Sequence, residues 1–451
     1  MSNGIGTNRD QWGTRAGFLM ATVGSAVGLG NLWRFPYIAG EGGGGAFLLF
    51  YLIIVVILGF TVTMAELTLG RHTQLNPMGA YRSIKKKWAW VGRMAILTAF
   101  LIMFYYCVIG GWVLKYFVAF LTGQFGGSNL AASKALFASF TGSTFEPIIY
   151  TAIFLLATLA IVYFGVSRGI EKASRVLMPT LFVFLIILAI RAITLPGAAE
   201  GIRYFLLPDF SRMDSQTILT AMGQVFYSLS LGMGIMITYG SYLDKQSDIV
   251  SSSAFIPLAD TVVAILAGLA ILPAVFVFGF QPDAGPGLMF VTLPAVFGQM
   301  PLGRFFAVLF FLLVLFAALT STISLLEVNV TYLIDEKKFS RRKAAIWATL
   351  LIFIFSIPAS LSMGSWADIH FLPGMNFFSS IDYLTSNIML PLGGLLLCIF
   401  IGWVWGVDNA VKEITNDGAI SFRMVSLWSF LIKYVAPLFI LLIFLNALGI
   451  I

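Results

Sequence analysis

Long apolar runs, each bounded by charged or turn-forming residues, recur along the whole chain, and the stretch from Ala46 to Ala65 (AFLLFYLIIVVILGFTVTMA) carries no charge at all. About 20 mainly apolar residues in a helix span the hydrocarbon core of a bilayer. Read on that scale, the pattern predicts eleven spans near 14–37, 44–70, 88–122, 147–165, 171–192, 215–243, 251–280, 301–335, 343–359, 376–404 and 425–450. The expected fold class is an all-α polytopic membrane protein, one transmembrane domain over 1–451, with the lipid bilayer as its solvating partner.

Two of these spans are interrupted by glycines and small polar residues: Gly24-Ser-Ala-Val-Gly-Leu-Gly-Asn31 in the first and Ser228-Leu-Ser-Leu-Gly-Met-Gly234 in the sixth. Glycine can also serve simple close packing of membrane helices. Single glycines would fit that reading, but clusters mixed with Asn31, Ser228 and Ser230 do not. Unwound backbone at mid-membrane is tolerated only where it is buried in protein or lines a cavity. A pair of interrupted spans at matching places points to a transporter built from inverted repeats. Residues 14–192 would hold helices one to five, residues 215–404 helices six to ten, and 425–450 an appended eleventh. Because five is odd, the second repeat enters the membrane in the opposite sense.

Composition sharpens the class. Charged residues are 10% of the chain, against about a quarter in soluble domains. The net charge of +7 could suggest a nucleic-acid partner, but the basic residues are distributed by side. With the N-terminus inside, twenty fall on the inner face and six on the outer, with Arg34 inside a span. That asymmetry predicts a cytoplasmic N-terminus and, after eleven spans, an extracytoplasmic C-terminus. No nucleic-acid partner and no obligatory protein partner are expected. The first thirteen residues are polar and give no sign of a removable signal peptide. Cys107 and Cys398 each lie inside an apolar segment, which argues against a disulfide framework or metal cluster. His72 and His370 have no partner spacing for a metal. No nucleophile–base pairing suggests an enzyme, and no charge ring or filter loop suggests a channel.

A helix broken at the midplane frees carbonyls on one half and amides on the other, so it offers sites for both signs of charge. A zwitterion with small cations is the natural ligand. Sodium needs oxygen ligands, and the candidate side-chain donors are Asn31, Ser228, Asp260, Thr320 and Ser321. Paired hydroxyls at Thr320 and Ser321 suit a metal ion better than a proton. Asp260, ionisable and inside a span, is a functional candidate by position.

The sequence Gly24-Ser-Ala-Val-Gly-Leu-Gly-Asn-Leu-Trp-Arg-Phe-Pro36, the glycine run 42–45 and Gly223-Gln-Val-Phe-Tyr-Ser-Leu-Ser-Leu-Gly232 resemble the neurotransmitter:sodium symporter family. The likeness runs from about Arg9 to the tenth span near 404 and is strongest to its bacterial LeuT-type carriers. It implies a LeuT-type 5+5 inverted repeat with discontinuous first and sixth helices, in a bacterial inner membrane. It further implies sodium-coupled secondary active symport of neutral hydrophobic L-amino acids, aliphatic and aromatic, by alternating access, with two sodium sites and no organic cofactor.

Carried position by position, the resemblance places the first sodium on Ala26, Asn31, Ser228 and Asp260, and the second on Gly24, Val27, Ala317, Thr320 and Ser321. The substrate carboxylate would meet Leu29, Gly30 and Tyr106. Its side chain would lie among Ile102, Tyr227, Ser230, Met233 and Leu325, with Ala26, Ser228 and Ser321 completing the site. Outer and inner gates would be Arg34 with Asp382 above Tyr227, and Arg9 with Asp335 near Trp12. As alternatives, Arg34 is a snorkelling helix-end residue and the inner pair ordinary solvated charges. Gly169 and Pro179, ten residues apart, suggest that the fifth helix unwinds at its cytoplasmic end to admit water to the second sodium; a simple proline kink is the alternative.

Three positions refine this picture. Gly28 stands where monoamine carriers of the family have aspartate, which points to a substrate with its own carboxylate. Asp260 stands where the family more often has asparagine, and Ala264, one turn on, where it has glutamate or serine, so chloride-independent transport is expected. Glu66 and Glu327 are further intramembrane carboxylates, either structural ties or coupling groups, and stay outside the predicted site.

Overall fold

The computed structural model describes residues 10–125, 129–212, 214–280 and 287–450. Among these, nine helices are long and apolar enough to cross a bilayer: Gly45–Thr73, Lys86–Thr122, Glu146–Tyr163, Val166–Ile193, Ile249–Val277, Gly303–Lys337, Arg341–Leu361, Phe377–Ile414 and Val425–Ala447. A tenth is the pair Arg15–Ala26 and Gly30–Glu41, bent by 48° at its break. The predicted sixth span consists of Ser215–Ser228 and Ile235–Gly240, each too short to cross alone. Taken as one span, it makes the order consistent with the eleven expected, and the first and sixth helices are the discontinuous ones.

The starts of these helices follow local chemistry. Thr14, Asn76, Asp214 and Asp248 each accept the amide three residues on, at 3.0, 3.1, 2.7 and 3.0 Å. Each such cap contributes about 1 kcal/mol by satisfying an amide that the helix leaves free. Hydropathy misplaces some ends. The eighth span continues to Lys337 and the tenth to Ile414, because their last turns are polar and protrude past the apolar band. It also misses the loop helices Pro77–Ile84, Leu130–Gly142 and Ala199–Leu206. A small antiparallel hairpin, pairing His370 with Asn376 and Leu372 with Met375, precedes the tenth span.

The third and eighth spans form the scaffold: 78% of the most apolar stretch of each is buried, against 28% for the eleventh, which lies at the periphery. Both broken helices pack into this scaffold. The fifth span is helical from Val166 to Ile193, with wider π-helical winding over Val166–Glu171 and Pro179 in its interior. The expected unwinding near Gly169 is thus not the arrangement seen. The glycine has another reason here, since a Cβ on it would stand 2.0 Å from the Ile161 carbonyl oxygen.

The same kind of contact joins the second and sixth spans, where a Cβ on Gly70 would meet the Ile237 carbonyl oxygen at 2.1 Å. Backbone cannot yield as a flexible side chain does. Gly70→Ala is expected to cost about 1–3 kcal/mol through overpacking, seen as a lower melting temperature of the purified protein in detergent. An unchanged melting temperature would mean that the two spans do not approach this closely.

Candidate functional site

The first helix stops at Ala26 because Val27 turns to φ −74°, ψ 98°, and it resumes in a wide turn at Gly30–Arg34. The sixth stops at Ser228 and passes through Ser230, Gly232 and Gly234, all at positive φ (55°, 81° and 75°). Glycine adopts that region freely, whereas a serine there costs about 1–2 kcal/mol. Ser230 is held in it by donating its hydroxyl to the Ser25 carbonyl at 3.0 Å.

Several main-chain groups at the breaks find side-chain partners. Gly28 donates to Asn31 Oδ1 at 3.1 Å, and Leu29 donates to the Tyr106 hydroxyl at 3.2 Å. The Gly30 carbonyl accepts from Gln224 at 2.9 Å. The Gly232 amide donates to Glu66 Oε1 at 2.8 Å. Glu66 therefore acts as a tie across the sixth-helix break, one of the two roles open to it.

One polar cluster joins four helices. Asn31 Nδ2 donates to Asp260 Oδ1 at 2.7 Å and to Ser228 Oγ at 3.0 Å. Ser228 donates to Asp260 Oδ2 at 2.8 Å, and the Tyr51 hydroxyl to the same oxygen at 3.2 Å. All four side chains are buried. Asp260 is thus a buried carboxyl surrounded by neutral donors, with no cationic side chain on it among the described residues. A carboxylate taken out of water costs several kcal/mol unless it is paired. The cluster therefore favours a small cation or a proton.

A second group lies where the inner half of the first helix meets the eighth. A Cβ on Gly24 would stand 3.2 Å from Thr320 Cβ and 3.0 Å from Met178 Sδ. Thr320 donates to the Phe316 and Ala317 carbonyls at 3.1 and 3.0 Å, and Ser321 donates to the Ser25 carbonyl at 3.4 Å. Carbonyls of the broken end, of which Val27 is the last turn, and two hydroxyls thus share one locality. Such hard oxygens suit an alkali or alkaline-earth ion and not a thiolate-seeking metal.

Between the two groups is a cavity of about 30 Å³. Its wall includes Ala26, Gly30, Ile102, Tyr106, Tyr227, Ser230, Met233, Ser321 and Leu325, and, beyond the residues expected, Ser25 and Gly28. Leu29 reaches it through the amide on Tyr106, and Ser228 belongs instead to the Asp260 cluster. Any side chain at position 28 would crowd the cavity, since its Cβ would be 2.5 Å from Ser321 Oγ and 2.9 Å from the Tyr106 hydroxyl.

The gates differ from expectation. No ion pair joins Arg34 to Asp382: the Arg34 guanidinium lies over the Tyr227 ring, 4.7 Å from its centroid, and Asp382 accepts from Ser386 at 2.9 Å. The ring offers its negative face to the cation, so Arg34 is satisfied without the carboxylate. Of the inner pair, Arg9 lies outside the described residues. Asp335 accepts from the Asn76 amide and side chain at 2.8 and 3.1 Å. Near it, Trp12 donates to the Tyr239 carbonyl at 3.0 Å and packs on Tyr239 and Phe18. Glu327 forms a paired contact with Arg341 at 2.6 and 3.0 Å and accepts from Tyr242 at 2.5 Å. That ion pair ties the eighth span to the start of the ninth and was not visible in the sequence.

Three site residues escaped the sequence reading: Ser25, Gln224 and Tyr51. The first two sit inside the two recognised motifs, so a signal existed. Tyr51 is one hydroxyl in an apolar run and gave none.

The sequence model described as the Sodium:neurotransmitter symporter family matches residues 9–132 and 144–450. The chain is 41% identical over 444 residues to a sodium-dependent transporter of Bacillus subtilis, YhdH, covering 98% of each protein. It is 38% identical over 454 residues to a sodium-dependent transporter of Haemophilus influenzae, again covering 98% of each. Among solved structures, that of MhsT in complex with L-phenylalanine superposes with a TM-score of 0.90 at 42% identity, over 97% of this chain and all of that one. Two broken helices around buried oxygen clusters, matched by relatives over nearly the full length, place this chain in the sodium:neurotransmitter symporter family as a multi-pass, sodium-dependent transporter.

Proposed function

We propose that this carrier uses an inward sodium gradient to take up neutral hydrophobic L-amino acids, aliphatic and aromatic, by alternating access. The observation that carries the reading is the Asp260 cluster, a buried carboxyl among neutral donors beside two helix breaks. A sodium ion bound by Ala26, Asn31, Ser228 and Asp260 would supply the charge that this cluster lacks. A second ion would take Gly24, Val27, Ala317, Thr320 and Ser321. The amides of Leu29 and Gly30 and the Tyr106 hydroxyl are the donors for a substrate carboxylate, which must exchange with the Tyr106 contact now made by Leu29.

The rest of the cavity is apolar and adaptable. Met233 is flexible and polarisable, and such side chains suit a pocket that accepts several shapes. MhsT, the structural relative, was solved with L-phenylalanine, which supports an aromatic substrate here. Chloride independence follows from the carboxyl of Asp260, because Ala264, one turn on and buried, offers neither charge nor hydroxyl. Arg34 over the Tyr227 ring would form the outer closure, with Arg9, Asp335 and the Glu327–Arg341 pair on the inner side. The basic-residue asymmetry supports a cytoplasmic N-terminus in a bacterial inner membrane.

Proteoliposomes carrying an inward sodium gradient are expected to accumulate labelled phenylalanine and leucine, and replacing chloride by gluconate should leave uptake unchanged. Loss of uptake without chloride would overturn the role given to Asp260. Accumulation driven by a proton gradient in the absence of sodium would overturn both ion sites.

Sodium that binds only the folded state at 100 times its Kd stabilises it by about 2.7 kcal/mol. Raising sodium against a potassium background should therefore raise the melting temperature of the purified protein. Asp260→Asn removes the charge while keeping the shape, and it should lose most of that rise while melting no lower than the parent without sodium. A full sodium response in this variant would exclude Asp260 as a ligand.

A further inference from the structure

We infer that Glu171 is the tether that holds the inner half of the first helix against the fifth, and that releasing it controls when the second ion site opens to the cytoplasm. The inference rests on the proposed sodium symport and adds a positioning residue to it.

Glu171 lies in the first turns of the fifth span, beside a cavity of about 760 Å³ bordered by Gly13, Thr14, Arg168 and Arg175. Despite that neighbourhood it is only 3% exposed. Its Oε2 accepts the Gly13 amide at 2.7 Å, and its Oε1 accepts the Thr14 hydroxyl at 2.9 Å and Arg175 at 2.6 Å. Arg175 also donates to the Thr14 hydroxyl oxygen. Thr14 is itself the cap of the first helix, accepting the Gly17 amide at 3.0 Å. One carboxylate thus carries charge-assisted bonds to the residues that start the neighbouring helix.

Position along the two helices gives this contact its consequence. A Cβ on Gly17 would stand 2.2 Å from Glu171 Cδ, and one on Gly24 would stand 3.0 Å from Met178 Sδ. Gly17 to Gly24 and Glu171 to Met178 are both steps of seven residues, about two turns. The same faces of the two helices therefore meet twice, at the cytoplasmic end through Glu171 and two turns deeper at the expected second ion site. Water cannot enter between Gly24 and Met178 from the cytoplasm while the outer turn of that seam is closed. Because the carboxylate borders an open groove that also carries Ser167, Arg168 and Lys172, water can replace its partners once they separate, so the tether is breakable. It can thus open without either helix unfolding, or release the start of the fifth helix to unwind.

The test places a reporter cysteine at Met178 (M178C) in a background where Cys107 and Cys398, both buried, are replaced by alanine. A membrane-impermeant maleimide is applied to the cytoplasmic face of reconstituted protein at fixed sodium. Glu171→Gln should label faster by about ten-fold, the effect on an equilibrium of losing one charge-assisted hydrogen bond. Gly17→Ala keeps every charge but pushes the carboxylate out of its seat, and it should show the same direction. Arg175→Gln, which leaves the Gly13 and Thr14 contacts in place, should show a smaller rise. Labelling equal to the parent in Glu171→Gln and Gly17→Ala, even with a lower melting temperature, would make Glu171 a structural anchor and overturn the inference. These comparisons are made at one sodium concentration, so they judge the tether whether or not the parent transports with sodium; failure of the symport reading would show separately, as absence of sodium-driven uptake.

Discussion

A bilayer supplies no water to satisfy a peptide group, so every amide and carbonyl released by a broken helix must find a partner inside the protein or in what it carries. This chain breaks two helices and meets several of the groups at the breaks with side chains: Asn31 on Gly28, Tyr106 on Leu29, Gln224 on Gly30, Glu66 on Gly232 and Ser230 on Ser25. The architecture around the breaks is the scaffold that brings those side chains to them. The third and eighth spans, the most buried of those described, contribute Ile102, Tyr106, Ser321 and Leu325 to the cavity between the breaks.

The polar groups divide into those already matched and those that are not. Glu327 has a guanidinium, and Glu171 has a guanidinium, a hydroxyl and an amide. Glu327 ties the eighth span to the ninth, and Glu171 ties the fifth to the start of the first. Asp260 has only neutral donors. In a low-dielectric interior that difference is what would let Asp260, placed beside both breaks, serve as a seat for a mobile cation. In the proposed reading a substrate carboxylate and the ion would complete each other, and Gly28, with no room for a side chain, would fit a ligand that brings its own anion.

The closures proposed for the two sides would use different physics. Outside, Arg34 rests on the face of Tyr227 in place of the expected carboxylate. Cation–ring contacts are worth about 0.5–1 kcal/mol when exposed, so this lid is light. On the proposed inner side, Trp12, the Glu327–Arg341 pair and the Glu171 contacts span several helices, and opening it would require breaking more bonds, each exchangeable for water.

The order of spans, the two broken helices and most of the oxygen donors were legible in the sequence, because transfer of apolar residues into lipid and the backbone freedom of glycine are local properties that a short window of residues reports. Tertiary structure alone decided which side chains answer which freed group. Tyr51 on Asp260 and Glu171 on Gly13 join residues 209 and 158 positions apart, and neither tyrosine in an apolar run nor glutamate at a helix start announces a partner. The same holds for Arg34, whose choice of a ring over Asp382 depends on where the sixth and tenth spans pack. Local sequence fixes where the chain must bend and which donors it carries, whereas long-range packing sets which charges remain unpaired, since pairing depends on distances of a few ångströms between segments far apart in the chain.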